Sequence, residues 1–595
     1  MATITSSSEI NETHKFTFVN KLVNEFYKYM GEIYIEYKIN NNSTTDIPTD
    51  IPTDIPTDIP TDIPTEIVNL TDILMENNDI TEITNSVKNT KITQTFSDYF
   101  LFKLYYNYGI KRRMVNDHIA LLYYAKNIKG YKPLEPITML CRHMLLDTHS
   151  MRIISLGIPK AVTLDNFCKE YDIDMSNSDT NFIKDETSNM DMDMSTGIAK
   201  VRVYKFSEGT MLTYNPSLKK YSITEINTNE DDDMDIDIDT TTQELISSNI
   251  EIKFNKQFMY STRKVVGTGR FSSLKTFYEM FDENNNIANT NLDNIPEHII
   301  NDKVLVFNIE HPENRVISSQ LRNFNTLCAV FQFKNEIISQ EQYNKIMQIE
   351  YTIENETSIL DSFSELGNNM VTQIQVANFK KQVQEYNVNL HLPEIIKSFE
   401  KLDADGITKK TININELSFE KINEIVQNKP KDFQGYIIYG LNGERSKFTN
   451  AKYKELRNLK GNKPIVIEQW NTKNLFYLYW KLIKENKIEQ FIKEFDVNLV
   501  NGIVCNDFIY TKLFNWFLSL VKTYALNLFK IYHNSFVKKT FLKSNIIFSM
   551  KPMCGDLHTE YLKNKVPISP TMVEKYIFDQ PVNKIFWRIF LDNKH

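Results

Sequence analysis

Cysteine is scarce in this chain: Cys141, Cys168, Cys328, Cys505 and Cys554 are the only five among 595 residues. They are scattered, with no Cys-x-x-Cys pair and no zinc-like spacing. That argues against a disulfide framework and a structural zinc module, and it fits a reducing compartment. No uninterrupted apolar run reaches the roughly 20 residues of a membrane-spanning helix, and the first twenty residues hold no apolar core of signal-peptide type. Gly267 and Gly269 are not followed by a further Gly-x-x-Gly before a helix, so no dinucleotide-binding fingerprint is present. The expectation is a soluble, intracellular protein without a membrane partner.

What is abundant bounds the chain from the other side. A hydrophobic content of 41% and an aromatic content of 12% support packed cores, and a mass of 69.8 kDa suits three or four domains. The net charge of -8 opposes polyanion binding by the chain as a whole. The acid is unevenly spread, however: polar inserts near 174–198 and 226–245 concentrate Asp and Glu and read as disordered surface loops. Residues 446–595 are rich in lysine instead.

These shifts divide the chain. Residues 1–40 form an N-terminal element, with an apolar-periodic stretch over 16–37 that reads as a helix running into a strand. Residues 41–95 are a low-complexity linker holding five Asp-Ile-Pro-Thr units between Asp46 and Thr65. A proline at every fourth residue forbids both a regular helix and a central strand. Residues 96–135 read as a helical segment, with Arg112, Arg113 and His118 as solvated helix residues. Residues 136–465 mix short β-rich runs with helices over 271–281 and 341–352, which suits an α+β fold with antiparallel sheets around a cleft. Residues 466–595 show helical spacing over 473–495, 508–531 and 572–591, the last interrupted by Pro581. The aromatics of that tail, including Trp470, Tyr479, Trp480, Trp516 and Trp587, read as core rather than as base-stacking platforms.

Within the central region, several segments carry a chemical pattern. Val201-Arg-Val-Tyr-Lys-Phe-Ser-Glu-Gly-Thr-Met-Leu212 places Lys205 at a strand end ahead of Glu208 and Gly209. A lysine amine attacks a phosphoryl group only when deprotonated, so such a site must depress its pKa. Cys141-Arg-His-Met-Leu-Leu-Asp147 and Ile153-Ile-Ser-Leu-Gly-Ile-Pro-Lys-Ala-Val162 precede it. Met259-Tyr-Ser-Thr-Arg-Lys-Val-Val-Gly267, Val304-Leu-Val-Phe-Asn-Ile-Glu-His-Pro-Glu-Asn-Arg-Val-Ile317, Gln434-Gly435-Tyr436 and Arg445-Ser-Lys-Phe-Thr-Asn-Ala-Lys-Tyr453 follow.

In this order, over roughly 140–465, the segments resemble the phage-type RNA ligase 1 group of ATP-dependent RNA ligases, in the divergent form encoded by large DNA viruses of amoebae. The resemblance implies an α+β antiparallel-sheet nucleotidyltransferase core with a mostly helical C-terminal domain. It implies Lys205 as the nucleophile toward the ATP α-phosphate, and transfer of the adenylate to an RNA 5′-phosphate. It further implies Glu208, Gly209, Arg263, Lys264, Glu310, Gln434, Arg445 and Lys447 as nucleotide-binding residues, with Glu310 toward Mg2+ or Mn2+. The setting it implies is the host cytoplasm or the virion. A solvated strand edge is the alternative for Arg263 and Lys264.

The departures bear on chemistry. The family's lysine lies three residues before the glycine, whereas Lys205 lies four before Gly209 and Phe206 takes the expected place. Strand side chains alternate faces, so a one-residue slip turns the lysine away unless a β-bulge near Ser207 absorbs it. Gln434 stands for a glutamate, Thr449 for a second basic residue and Asn308 for a further glutamate. Three readings follow: an RNA ligase-like enzyme; a catalytically inactive descendant that binds nucleic acid or serves as a virion or structural protein; and a capping-type guanylyltransferase. The helical tail disfavours the third.

Overall fold

The computed structural model describes residues 17–42, 95–125, 131–183, 198–199, 201–221, 223–227, 250–254, 256–267, 275–314, 317, 323–368, 370–402, 409–461, 472–496, 498–500, 503–505, 509–543, 546 and 550–590. The Asp-Ile-Pro-Thr repeats, most of both acidic inserts, Arg315 and Trp470 lie outside these residues.

The N-terminal apolar periodicity forms one helix, Thr17–Asn42, with no strand after its first turns. Val19, Leu22, Val23, Phe26, Tyr27, Met30 and Tyr34 recur at helical spacing and are buried, as one face of an amphipathic helix must be. The partner helix is Glu356–Gly367. At the crossing a Cβ on Gly31 would stand 3.2 Å from Phe363, and one on Gly367 would stand 3.1 Å from Tyr27.

Within the segment 96–135 expected to be helical, the helix ends at Tyr108. Gly109, at φ 65°, caps it in the left-handed conformation and donates its N–H to the carbonyls of Leu104 and Tyr105. The chain then forms a hairpin, Ile110–Met114 with Ile119–Tyr124. Arg112 and Arg113 are therefore strand residues and His118 is a turn residue, correcting their reading as helical. With Met144–Asp147 and Arg152–Leu156 the hairpin completes a four-stranded sheet in chain order.

Two further sheets define the centre of the molecule. The larger has six strands in the order Val265–Val266, Tyr260–Thr262, Thr210–Tyr214, Lys303–Glu310, Phe324–Phe333, Val371–Ile374. The smaller has three, in the order Arg445–Thr449, Gly435–Gly440, Val201–Phe206. All their pairings are antiparallel. In the large sheet Leu305, Phe307 and Ile309 join a core with the Phe277–Ile287 helix, whereas Val304 and Val306 join the core of the N-terminal helix. Alternation continues that second face into Asn308 and Glu310.

The C-terminal region is helical. Thr472–Lys484, Ile488–Phe495, Ile509–Tyr532, Lys551–Asn564, Pro570–Asp579 and Val582–Phe590 share a core that includes Phe476, Trp480, Phe517 and Ile577. The break anticipated at Pro581 separates the last two helices. Tyr479 and Trp480 are core residues, but Trp516 and Trp587 are about half exposed. The protein is thus a mixed α+β molecule with antiparallel sheets and a helical C-terminal region. No described helix is long and apolar enough to cross a membrane.

Candidate functional site

The three-stranded sheet decides where Lys205 can act. Its register runs without interruption from Gly440 opposite Val201 to Gly435 opposite Phe206, which pairs Lys205 with Tyr436. Tyr436 in turn lies opposite Phe448. Lys205 therefore shares a face with Val203, Ile438, Tyr436 and Phe448. The last four are buried against Phe167, Phe399 and Phe419. The other face presents Arg202, Tyr204 and Phe206 beside Tyr439, Ile437, Arg445 and Lys447. Lys447 lies there with its Nζ 5.4 Å from the Phe206 ring centroid. The pairing is unbroken through Phe206, so it is Phe206, and not Lys205, that shares the face of Lys447. The register thus sets Lys205 on the opposite face from Lys447.

Ser207, Glu208 and Gly209 carry the chain from the small sheet to the large one. Gly209 passes so close to the Lys303–Glu310 strand that a Cβ there would stand 2.5 Å from the Ile309 carbonyl and 2.6 Å from the Asn308 side chain. Only glycine fits this close approach. The Glu208 carboxylate accepts from the Tyr453 hydroxyl at 2.8 Å and from the Ile317 N–H at 3.0 Å. Burial, and then the Glu208 charge, raise the Tyr453 phenol pKa far above its ordinary range. Glu208 thereby clasps the crossover to the Ala451–Lys460 helix.

At the other end of the cleft the sheets bring arginines together. Arg445 is buried, and its Nε and Nη2 donate to the Pro159 carbonyl at 3.2 and 2.8 Å. Arg263 lies over the Tyr124 ring with its guanidinium carbon 4.2 Å from the centroid. Its Nη2 donates to the Tyr124 carbonyl, while its Nε is buried without a partner. Arg142 belongs to the same group. Burial, and then the positive charges of Arg445 and Arg263, press its guanidinium pKa downward. Among the described residues Arg142 has no hydrogen bond or ion pair. Three guanidinium groups thus lie within electrostatic reach of one another, and two of them donate to backbone carbonyls. Lys264, by contrast, is exposed at a turn, with its Nζ 5.8 Å from the Tyr123 ring centroid.

Glu310 ends its strand one alternation beyond neutral Asn308. It lies within electrostatic reach of the Cys328 thiol, whose pKa burial pushes up to about 12 while Arg445 draws it back. Gln434 is buried with its Oε1 unpartnered. Gly435 beside it is fixed by its φ of 145° and by the Phe448 carbonyl, 2.0 Å from any added Cβ. Among the described residues no group of three or more His, Cys, Asp or Glu side chains is arranged to hold a metal. Glu310 is therefore not part of such a group among the described residues. Between the sheets, Arg202, Tyr204, Cys328, Gln373 and Tyr439 line a cavity of about 70 Å³. That is room for a few waters rather than the roughly 300 Å³ or more of a drug-sized ligand site.

Of the residues expected at the site, Arg263 and Arg445 fall in the arginine group, and Glu310 and Arg445 both lie within electrostatic reach of the Cys328 thiol. Glu208 and Gly209 form the crossover, Lys447 lies over Phe206, and Lys205 and Lys264 stand apart. Arg142 was missed, although its segment was in view. The signal was an arginine between buried Cys141 and His143 at the head of a strand, a costly placement without an anion to meet. No protein-family model and no curated protein matches the chain.

Proposed function

We propose that this protein binds a phosphate-bearing ligand on the scaffold of an RNA ligase-like covalent nucleotidyltransferase, and that Lys205 does not carry a lysine-adenylate step. The observation that carries this reading is the unbroken pairing of Val201–Phe206 with Gly435–Gly440, which sets Lys205 and Lys447 on opposite faces. A nucleophile must approach within about 3–3.5 Å of the atom it attacks, and a β-sheet lies between this amine and the basic groups that would hold the phosphates. What is kept is the means of binding. Arg142, Arg263 and Arg445 converge from three segments, and guanidinium groups pair with phosphate through two parallel hydrogen bonds. The Glu208–Gly209 crossover and the two-sheet cleft support nucleotidyltransferase ancestry, which the ordered sequence segments suggested first.

The test pairs chemistry with binding. Purified protein is incubated with α-labelled ATP or GTP in Mg2+ or Mn2+, and ATP binding is measured by calorimetry. The expected outcome is no label surviving denaturing electrophoresis, together with ATP binding that weakens at least tenfold in Arg142→Ala. A covalent label that disappears in Lys205→Ala would instead establish an active adenylyltransferase.

A further inference from the structure

The helical C-terminal region carries a surface that the cleft does not use. Residues 472–590 hold 17 Lys and Arg against nine Asp and Glu, in a chain whose net charge is -8. The Ile509–Tyr532 helix continues into a π-turn, His533–Val537, a geometry that recurs at functional sites. From it a ladder of rings leads out of the core. Tyr532 is 2% exposed and stacks on Phe536 at 5.4 Å and 16°. Phe536 meets His558 at 4.5 Å, and His558 stacks with Tyr561 at 6.0 Å and 23°. Tyr561 and nearby Phe541 are 36% and 39% exposed.

Around these rings Lys538, Lys539, Lys543, Lys551, Lys563 and Lys565 are exposed, and among the described residues none forms an ion pair. The Lys543 Nζ lies 4.5 Å from the Phe536 ring centroid. The two carboxylates of the Lys551–Asn564 helix are engaged elsewhere, Asp556 by the Tyr576 hydroxyl and Glu560 by Asn564.

We infer that this face, built from residues 533–543 and the Lys551–Asn564 helix, docks a single-stranded polynucleotide. Unpaired lysines around stacked rings that end in accessible π-faces match a ligand alternating phosphates with unstacked bases. A duplex offers the phosphates but not the base faces. The surface is separate from the arginine cleft and does not depend on it.

Full-length protein is titrated against fluorescein-labelled 15-mers of U and of dT and against a 15-base-pair duplex, by anisotropy at several salt concentrations. Both single strands, or either one, are expected to bind at least tenfold more tightly than the duplex, and their ratio identifies the sugar preferred. The triple variant Lys538→Ala/Lys539→Ala/Lys543→Ala should reduce the slope of log K against log salt by about 2. Tyr561→Ala should weaken binding about tenfold and leave the slope unchanged. Exposed Leu542 and Leu562 make anionic lipid the competing partner. Binding to phosphatidylserine–phosphatidylcholine vesicles without oligonucleotide binding overturns the inference. So does a triple variant with an unchanged circular dichroism spectrum and wild-type affinity and slope.

Discussion

His143 shows at the scale of one residue what burial beside a charge does. Its Nε2 lies 3.0 Å from the Ser261 hydroxyl, and its Nδ1 is buried without a partner. Burial first, and Arg142 second, push its pKa down to about 3. The unfolded imidazole titrates near 6.5, so above that pH both states are neutral and nothing is lost. As pH falls below 6.5 only the unfolded chain takes the proton, and stability declines until the folded pKa is reached. Between pH 7.5 and 5.0 this one group should cost about 2 kcal/mol. Denaturant titrations of the wild type and His143→Gln should differ in pH dependence by that amount. Equal slopes would mean that the folded imidazole accepts the proton after all. Arg142, the neighbour responsible for part of the effect, shows why the site was only half legible in the sequence. Residues 142, 263 and 445 come from three distant segments, and no spacing announces that they meet. The face of Lys205, by contrast, followed from alternation once the strand was recognised.

Elements were legible where their period was clean. The helices over 472–495, 509–532 and 570–590 fall where apolar spacing put them, whereas Lys551–Asn564 lies outside the expected stretches; Pro581 breaks the last pair because proline supplies no N–H to continue a helix. The hairpin after Gly109 reads as helix in the sequence because Ile110–Met114 is charged in its middle, while Ile119–Tyr124 is apolar on both faces. Neither strand displays an alternating pattern. The left-handed glycine and the Asn116-Asp117 turn were the usable signals. The N-terminal helix was legible, but its partner was not, because the contact at Gly31 depends on a helix more than 300 residues later. That contact yields a prediction: Gly31→Val adds methyl groups where Phe363 already stands at 3.2 Å. Overpacking of this kind costs about 1–3 kcal/mol, which a shifted denaturation midpoint at constant m-value would register. A neutral or stabilising result would show that the two helices can separate without loss.

For the whole molecule, the low-complexity linker tests how loosely an insertion can be attached. Its flanks are held together: Asn40 donates to the Tyr99 hydroxyl at 3.1 Å, and Tyr37 meets Phe96 at 5.6 Å. The two ends of the 52 residues between Asn42 and Thr95 are therefore held at one place. Removing 20 of them, from Asp46 to Thr65, lowers the loop-closure cost by about 0.4 kcal/mol. The shortened protein should accordingly be as stable as the parent or marginally more so. A loss above about 1 kcal/mol would assign the repeats a structural role.

The pairing of Val201–Phe206 with Gly435–Gly440 also sets a timetable for synthesis. Phe206 leaves the ribosome well over two hundred residues before Gly435, its partner in the ladder, and at roughly 5–20 residues per second that interval is tens of seconds or less. The N-terminal helix waits still longer for the segment that covers Gly31. During that time one half of the cleft exists without the other, and the nascent chain presents an open sheet edge and an uncovered apolar helix face. For this protein the vulnerable period is translation itself, and chaperone demand should rise with any change that delays emergence of the last 160 residues.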